Sequence, residues 1–131
     1  MTPHLMTVRV YYEDTDFSGN VYHARYLHFF ERGRTEFLRD LGIHHSELVE
    51  DGIAFAVRKM SLDFIGAAHI DDLLEVETAV ESASGARLNL IQTIRRGGVV
   101  LTHAAVQVVA IRVGGGAARL PKAVLERISA A

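Results

Sequence analysis

Cysteine is absent from the chain. That absence removes disulfides, thiolate nucleophiles and cysteine-bound zinc together, and it agrees with a reducing, cytoplasmic setting. Long apolar runs are missing as well. No stretch approaches the roughly 18 uncharged residues of a membrane-spanning helix, and Met1 to Thr7 has neither the basic nor the apolar part of a secretion signal. Nor is there an excess of basic charge: the formal net charge is -2, with no long basic run, which argues against binding to a nucleic-acid backbone. No internal repeats, linkers or low-complexity segments occur beyond Gly114 to Gly116.

Several familiar chemistries are also missing. No G-x-S-x-G supplies a serine nucleophile, and no G-x-G-x-x-G follows a strand pattern. Asp14 to Gly19 has the oxygen donors of a calcium loop, but Arg25 stands where that loop needs a bidentate glutamate. His23 and His28 lie five apart and His44 and His45 are adjacent, so neither pair shares a helix face as zinc ligands do. No bound metal is expected.

What is present is a chain of 131 residues, 49% of them hydrophobic, enough for the core of one domain over 1–131. Val8, Val10 and Tyr12 alternate with Arg9, Tyr11 and Glu13, which predicts a strand. From Ala24 to Leu41 the apolar residues recur at helical spacing, ending at Gly42. Gly33 inside this helix costs roughly 1 kcal/mol relative to alanine, so the backbone of an enclosing strand is expected to cross it closely. Ser46 to Asp51 reads as a short helix with Ser46 as its N-cap.

Ile53 to Ile65 reads as a strand whose apolar parity switches near Arg58 and Lys59, as a β-bulge would make it. Leu74 to Ser82 and Arg87 to Arg95 alternate as strands, and Gly97-Gly98 marks a hairpin into Val99 to Val113. That last strand is apolar on both parities, so its second face packs inside the chain or, as we favour, against another subunit. Pro121 to Ser129 closes the chain as a helix starting at or just after the proline. The expected fold class is α+β, an antiparallel sheet with one dominant buried helix.

The chain centres on Arg9 to Leu27, where an acidic turn leads into the long helix. Asp14 and Asp16 precede a helix N-terminus, whose free N–H groups and positive dipole end favour developing negative charge. With serine, cysteine and metal chemistry set aside, Asp16 is a candidate base or nucleophile toward an acyl carbon. Helix capping and turn formation are the competing role for both aspartates. The backbone N–H of His23, in the first helical turn, is free to bind an oxyanion, and its ring is a candidate acid or hydrogen-bond donor. Tyr22, Tyr26, Phe29 and Phe30 read as core or pocket wall. Arg58, Lys59, Arg87, Arg95 and Arg96 either hold phosphates or form a solvated face.

Val8-Arg-Val-Tyr-Tyr-Glu-Asp-Thr-Asp16, Gly19, Val21-Tyr-His-Ala24, Tyr26 and Phe30-Glu-Arg-Gly-Arg-Thr-Glu36 strongly resemble the hotdog-fold acyl-CoA thioesterases. The likeness is to the 4-hydroxybenzoyl-CoA thioesterase family, in particular its branch associated with the bacterial Tol-Pal system. Ala54 to Met60 and Asp71-Asp-Leu-Leu-Glu75 extend it over nearly the whole chain. Asn20 departs from it, standing where relatives more often have a β-branched apolar residue.

The resemblance implies a sheet wrapped around the long helix, with homodimers sharing a continuous sheet, often paired into homotetramers, and active sites at the subunit interface. It implies an acyl-CoA substrate and no cofactor beyond the coenzyme A of that substrate. It makes Asp16 the catalytic carboxylate and the His23 N–H the group that polarises the thioester carbonyl. Tyr22, Tyr26, Arg58 and Lys59 are then the candidate substrate-binding residues. An acyl carrier protein thioesterase, a dehydratase on the same scaffold and a non-catalytic scaffold of the cell-envelope machinery are the alternatives. The acidic turn, with Asp16 and His23 intact, disfavours the last two.

Overall fold

Helix α1 (His23–Asp40) buries Tyr26, Phe29, Phe30, Gly33, Phe37 and Leu38 along one face. The computed structural model describes residues 2–131. Around α1 lie strand β1 (His4–Arg9), a short 3-10 turn (Tyr12–Asp14), helix α2 (His45–Glu50), strands β2 (Ile53–Phe64), β3 (Leu73–Ala83), β4 (Arg87–Arg96) and β5 (Val99–Arg112), and helix α3 (Lys122–Ser129). The strands form one antiparallel sheet in the order β1-β3-β4-β5-β2, which leaves β1 and β2 at its edges.

Inward residues of alternate parity meet the helix. Leu74 and Val76 of β3, Leu88, Leu90 and Ile94 of β4, and Ala104, Val106 and Val108 of β5 are all buried and join the α1 face in one core. Among the described residues no helix is long and apolar enough to cross a membrane.

The helix lies close to the sheet because Gly33 has no side chain. A Cβ there would stand 2.8 Å from Val76 Cγ1 and 3.3 Å from both Gln92 Nε2 and Thr78 Oγ1. Crossing strands do explain this glycine, but through their side chains rather than the strand backbone expected from sequence. Gln92, fully buried, donates from Nε2 to the Phe30 carbonyl at 3.0 Å and to Thr78 Oγ1 at 2.9 Å. Its Oε1 accepts from Arg34 Nη1 at 3.0 Å. This amide therefore ties β3 and β4 to the middle of α1.

The bulge falls where the parity switch put it: the β2–β5 register shifts between Val57 and Lys59. Gly97 and Gly98, both at positive φ, close the β4–β5 hairpin. One face of β5 is buried through Ala104, Val106, Val108 and Ala110, while Ala105, Val109 and Ile111 on the other are half-exposed.

The first strand departs most from expectation, and the other element ends shift by about a residue. The first strand starts earlier, with His4 opposite Thr78, and ends at Arg9, so Tyr12 is exposed instead of facing the core. The cause is local: Asp14 Oδ2 accepts the Tyr11 N–H at 2.8 Å and closes a turn there. Helix α2 starts one residue before Ser46, with His44 at the N-cap position.

Gly33→Ala gains helix propensity of roughly 1 kcal/mol but drives a methyl into Val76. The expected net result is destabilisation by about 1–3 kcal/mol in denaturant unfolding. A variant more stable than wild type would show that Val76 and the sheet can retreat.

Candidate active site

Between β1 and α1 the chain makes a small hairpin. Thr15 and Val21 pair as an antiparallel bridge, the Asp16 N–H donates to the Asn20 carbonyl at 3.0 Å, and Gly19 N–H donates to the Asp16 carbonyl at 3.1 Å. Gly19 holds φ +82, a left-handed conformation that favours glycine in so tight a turn.

The two aspartates have separate tasks. Asp14 points inward and is buried; besides the Tyr11 bond, its Oδ1 lies 3.5 Å from Arg25 Nε. It is the turn-forming residue. Asp16 points outward and is exposed, with Oδ1 accepting from the Ser18 N–H at 2.8 Å and from the Ser18 hydroxyl at 2.5 Å. Those two bonds hold its carboxyl below the usual 3.8 against the opposing effect of burial, with a lesser contribution from the His23 ring. Asp16 is thus a solvent-accessible anion at neutral pH.

Helix α1 begins beside it. The Val21 N–H donates to the Ala68 carbonyl at 2.8 Å and the Tyr22 N–H to the Asp14 carbonyl at 2.9 Å. His23 follows, and its backbone N–H meets no acceptor among the described residues. It sits at the positive end of an 18-residue helix. The His23 ring lies 4.5 Å from the Tyr22 ring, centroid to centroid, and 6.4 Å edge-on from Phe64. Phe17, Tyr22 and Phe64 expose apolar surface around this spot.

The sequence-derived candidates fall into three groups. Asp16, His23 and Tyr22 come together at the helix start. Tyr26 does not open onto them: its ring is 3% exposed, and its hydroxyl accepts the Ala68 N–H at 3.0 Å. Its place in the chain is therefore core and brace. Arg58 and Lys59 sit at the β2 bulge, with Arg58 donating to Gln107 Oε1 at 2.7 Å. Along the strand they stand roughly 17–20 Å from Phe64, so a single chain does not bring them to Asp16.

A cavity of about 350 Å³ lies elsewhere, between α1, α2 and β2, lined by Glu31, Arg34, Thr35, His45, Phe55, Ala56, Val57 and Val108. Burial lowers the pKa of both Arg34 and His45, with Glu31 opposing the shift in each case and Arg39 adding to it for His45. Glu31 is roughly 12 Å beyond His23 along the helix. Sequence reading singled out Arg34 only within a motif and missed the cavity, since its walls come from segments with no shared pattern.

Residues 10–128 match a family model described as the thioesterase-like superfamily. The chain is 49% identical over 108 residues to the acyl-CoA thioesterase YbgC of Haemophilus influenzae, an alignment covering 82% of this chain and 79% of that protein. A probable thioesterase from Bartonella henselae, known from its crystal structure, is 45% identical, with a TM-score of 0.83 over 91% of this chain and 98% of that one. A 4-hydroxybenzoyl CoA thioesterase structure at 18% identity superposes with a TM-score of 0.88 over 96% of this chain and 98% of that one, a likeness of fold alone. An antiparallel sheet packed on one long helix, an acidic hairpin ahead of that helix and these relatives agree: the chain is a hotdog-fold protein and belongs to the thioesterase-like superfamily.

Proposed function

We infer that this chain is an acyl-CoA thioesterase in which Asp16 is the catalytic carboxylate and the His23 N–H is the oxyanion donor. The observation that carries the assignment of these two groups is their juxtaposition: an exposed, ionised carboxylate beside the first unpaired N–H of the long helix. The overall activity rests on the curated acyl-CoA thioesterases among its relatives. Acyl-CoA and water give a carboxylic acid and coenzyme A.

A thioester carbonyl is weakly resonance-stabilised and its thiolate leaves readily, so one carboxylate and one oxyanion donor suffice. As His23 N–H donates to the carbonyl oxygen, charge building there meets the helix dipole. Asp16 either takes the proton from an attacking water or attacks the carbon itself to give a mixed anhydride that water then opens. Oxygen-18 labelling of Asp16 in a single turnover separates these routes: label in the carboxylate marks direct attack.

The reading extends to a cytoplasmic homodimer paired along β2 and assembling to a homotetramer, acting on free acyl-CoA or on acyl carrier protein. β2 is an edge strand with exposed Val57 and Phe64, which supports pairing with a second copy. Antiparallel pairing there sets the Phe64 end of one strand against the Phe55 end of the other. The Asp16 hairpin of one copy then faces the Arg34 cavity of the second, and the Arg58 and Lys59 of the second come within reach of coenzyme A phosphates. Tyr22 is the aromatic wall beside the reacting group. The half-exposed face of β5 is available to the tetramer.

Asp16→Asn, compared with wild type at matched thermal stability, is expected to lower the steady-state release of coenzyme A about a hundredfold or more, equivalent to about 2.7 kcal/mol. A folded variant at wild-type rate would sink the assignment. The test should span short, medium, long and aromatic acyl-CoAs, with acyl carrier protein substrates following if none is hydrolysed.

Asp16 has its folded pKa below 3.8, so the acid limb of kcat/KM due to this group is expected below that pH. Losing the Ser18 hydroxyl removes a bond to the charged form, which raises the folded pKa toward its ordinary value. In Ser18→Ala, activity should therefore fall away at higher pH than in wild type, read as kcat/KM against pH over the range where both proteins keep their circular dichroism.

A further inference from the structure

The internal bonds of the Asp16 hairpin are all short-range in sequence, so the hairpin alone cannot fix where its carboxylate stands relative to the sheet. A second segment does this. Asn20 pairs with His69 as an antiparallel bridge, and Val21 N–H donates to the Ala68 carbonyl. The 66–72 segment thus grips the two residues between the Asp16 turn and the start of α1.

That segment is in turn clasped by an ion pair. Arg96 Nη1, at the end of β4, lies 2.8 Å from Asp72 Oδ2 and 3.1 Å from the Ala67 carbonyl oxygen. The same Asp72 oxygen accepts the His69 N–H at 2.9 Å. Burial pushes the Asp72 pKa up, but Arg96 and the His69 N–H outweigh it, so the carboxyl titrates below its usual 3.8 and is charged at neutral pH. From behind, Tyr26 Oη accepts the Ala68 N–H, and the Asp71 N–H donates to the Val10 carbonyl at 2.9 Å.

We propose that Asp72 and Arg96 are positioning residues for thioester hydrolysis: by clasping residues 67–69 against Asn20 and Val21, they add a long-range brace to the local hairpin bonds that set the separation of the Asp16 carboxylate and the His23 N–H. This rests on the assignment of Asp16 and His23 made above. The two groups must act on one carbonyl at once, from the hairpin and from the helix start. Any slack between those elements is slack between the attacking atom and the oxyanion donor. The clasp therefore acts on the chemical step more than on substrate affinity.

The test uses the full chain and an acyl-CoA that wild type hydrolyses. Asp72→Asn and Arg96→Gln are expected to lower kcat roughly ten- to a hundredfold, the penalty of a misplacement near 1 Å, with KM changed by less than about threefold. Arg96→Lys, which keeps the charge opposite Asp72, should recover part of the loss. Arg127→Ala serves as the stability control, because Arg127 anchors the Gly42 carbonyl at the far end of α1; it should match the thermal destabilisation while leaving kcat unchanged. In an Asp16→Asn background, Asp72→Asn should lower the residual rate no further.

The proposal is overturned if Asp72→Asn and Arg96→Gln lose stability with kcat intact, if KM alone rises, or if the loss persists undiminished in the Asp16→Asn background. A folded Asp16→Asn protein at wild-type rate overturns the underlying assignment, and the positioning role with it, whatever Asp72→Asn does.

Discussion

The close approach of α1 to the sheet is the constraint on which the rest of the molecule depends. It needs a residue without a side chain at 33, and a fully buried amide at 92 long enough to reach the Phe30 carbonyl. The two are complementary. Glycine lets the helix down onto β3 and β4, and Gln92 supplies hydrogen bonds where apolar packing alone would leave Thr78 without a partner. Moving the helix outward would break that amide's contacts and open the core beneath Phe29 and Phe30. Helix height fixes the helix start, and the helix start is where we place the chemistry.

At that start, two carboxylates close in sequence are sorted by direction. Asp14 turns in and satisfies backbone donors of its own turn, which frees Asp16 to face solvent as an anion. The proposed oxyanion donor arises by the same kind of exhaustion: the Val21 and Tyr22 N–H groups are taken, and the next one along is open. On that proposal, a hairpin and a helix terminus build a polarising site from backbone geometry, with very few specialised side chains.

Much of this was legible in the sequence, for identifiable reasons. The strand order of events, the long helix and the bulge at Arg58 follow from apolar periodicity, and periodicity reports which face meets the core. Gly33 was recognisable as a close approach, although periodicity could not say whether backbone or side chains made it. Asp14 and Asp16 were indistinguishable by spacing, because a buried turn residue and an exposed carboxylate share the same composition there. The fate of Tyr26 was equally hidden: its hydroxyl meets Ala68, and nothing local in the sequence announces that partner. The first strand was misplaced toward the acidic turn because the alternation of Val8, Val10 and Tyr12 continues past the point where Asp14 bends the chain.

The clasp has a consequence for how the molecule comes into being. Asp16 and His23 are synthesised well before Arg96, which on our proposal secures their setting from the end of β4 and meets Asp72 only once β4 has paired with β3. Such long-range contacts form late, because the closure entropy of the intervening chain is met only when the sheet rewards it. Partly folded chains would therefore carry the proposed catalytic carboxylate without the geometry to use it, and competence to turn over thioesters would emerge together with the β3–β4 pairing that closes the clasp.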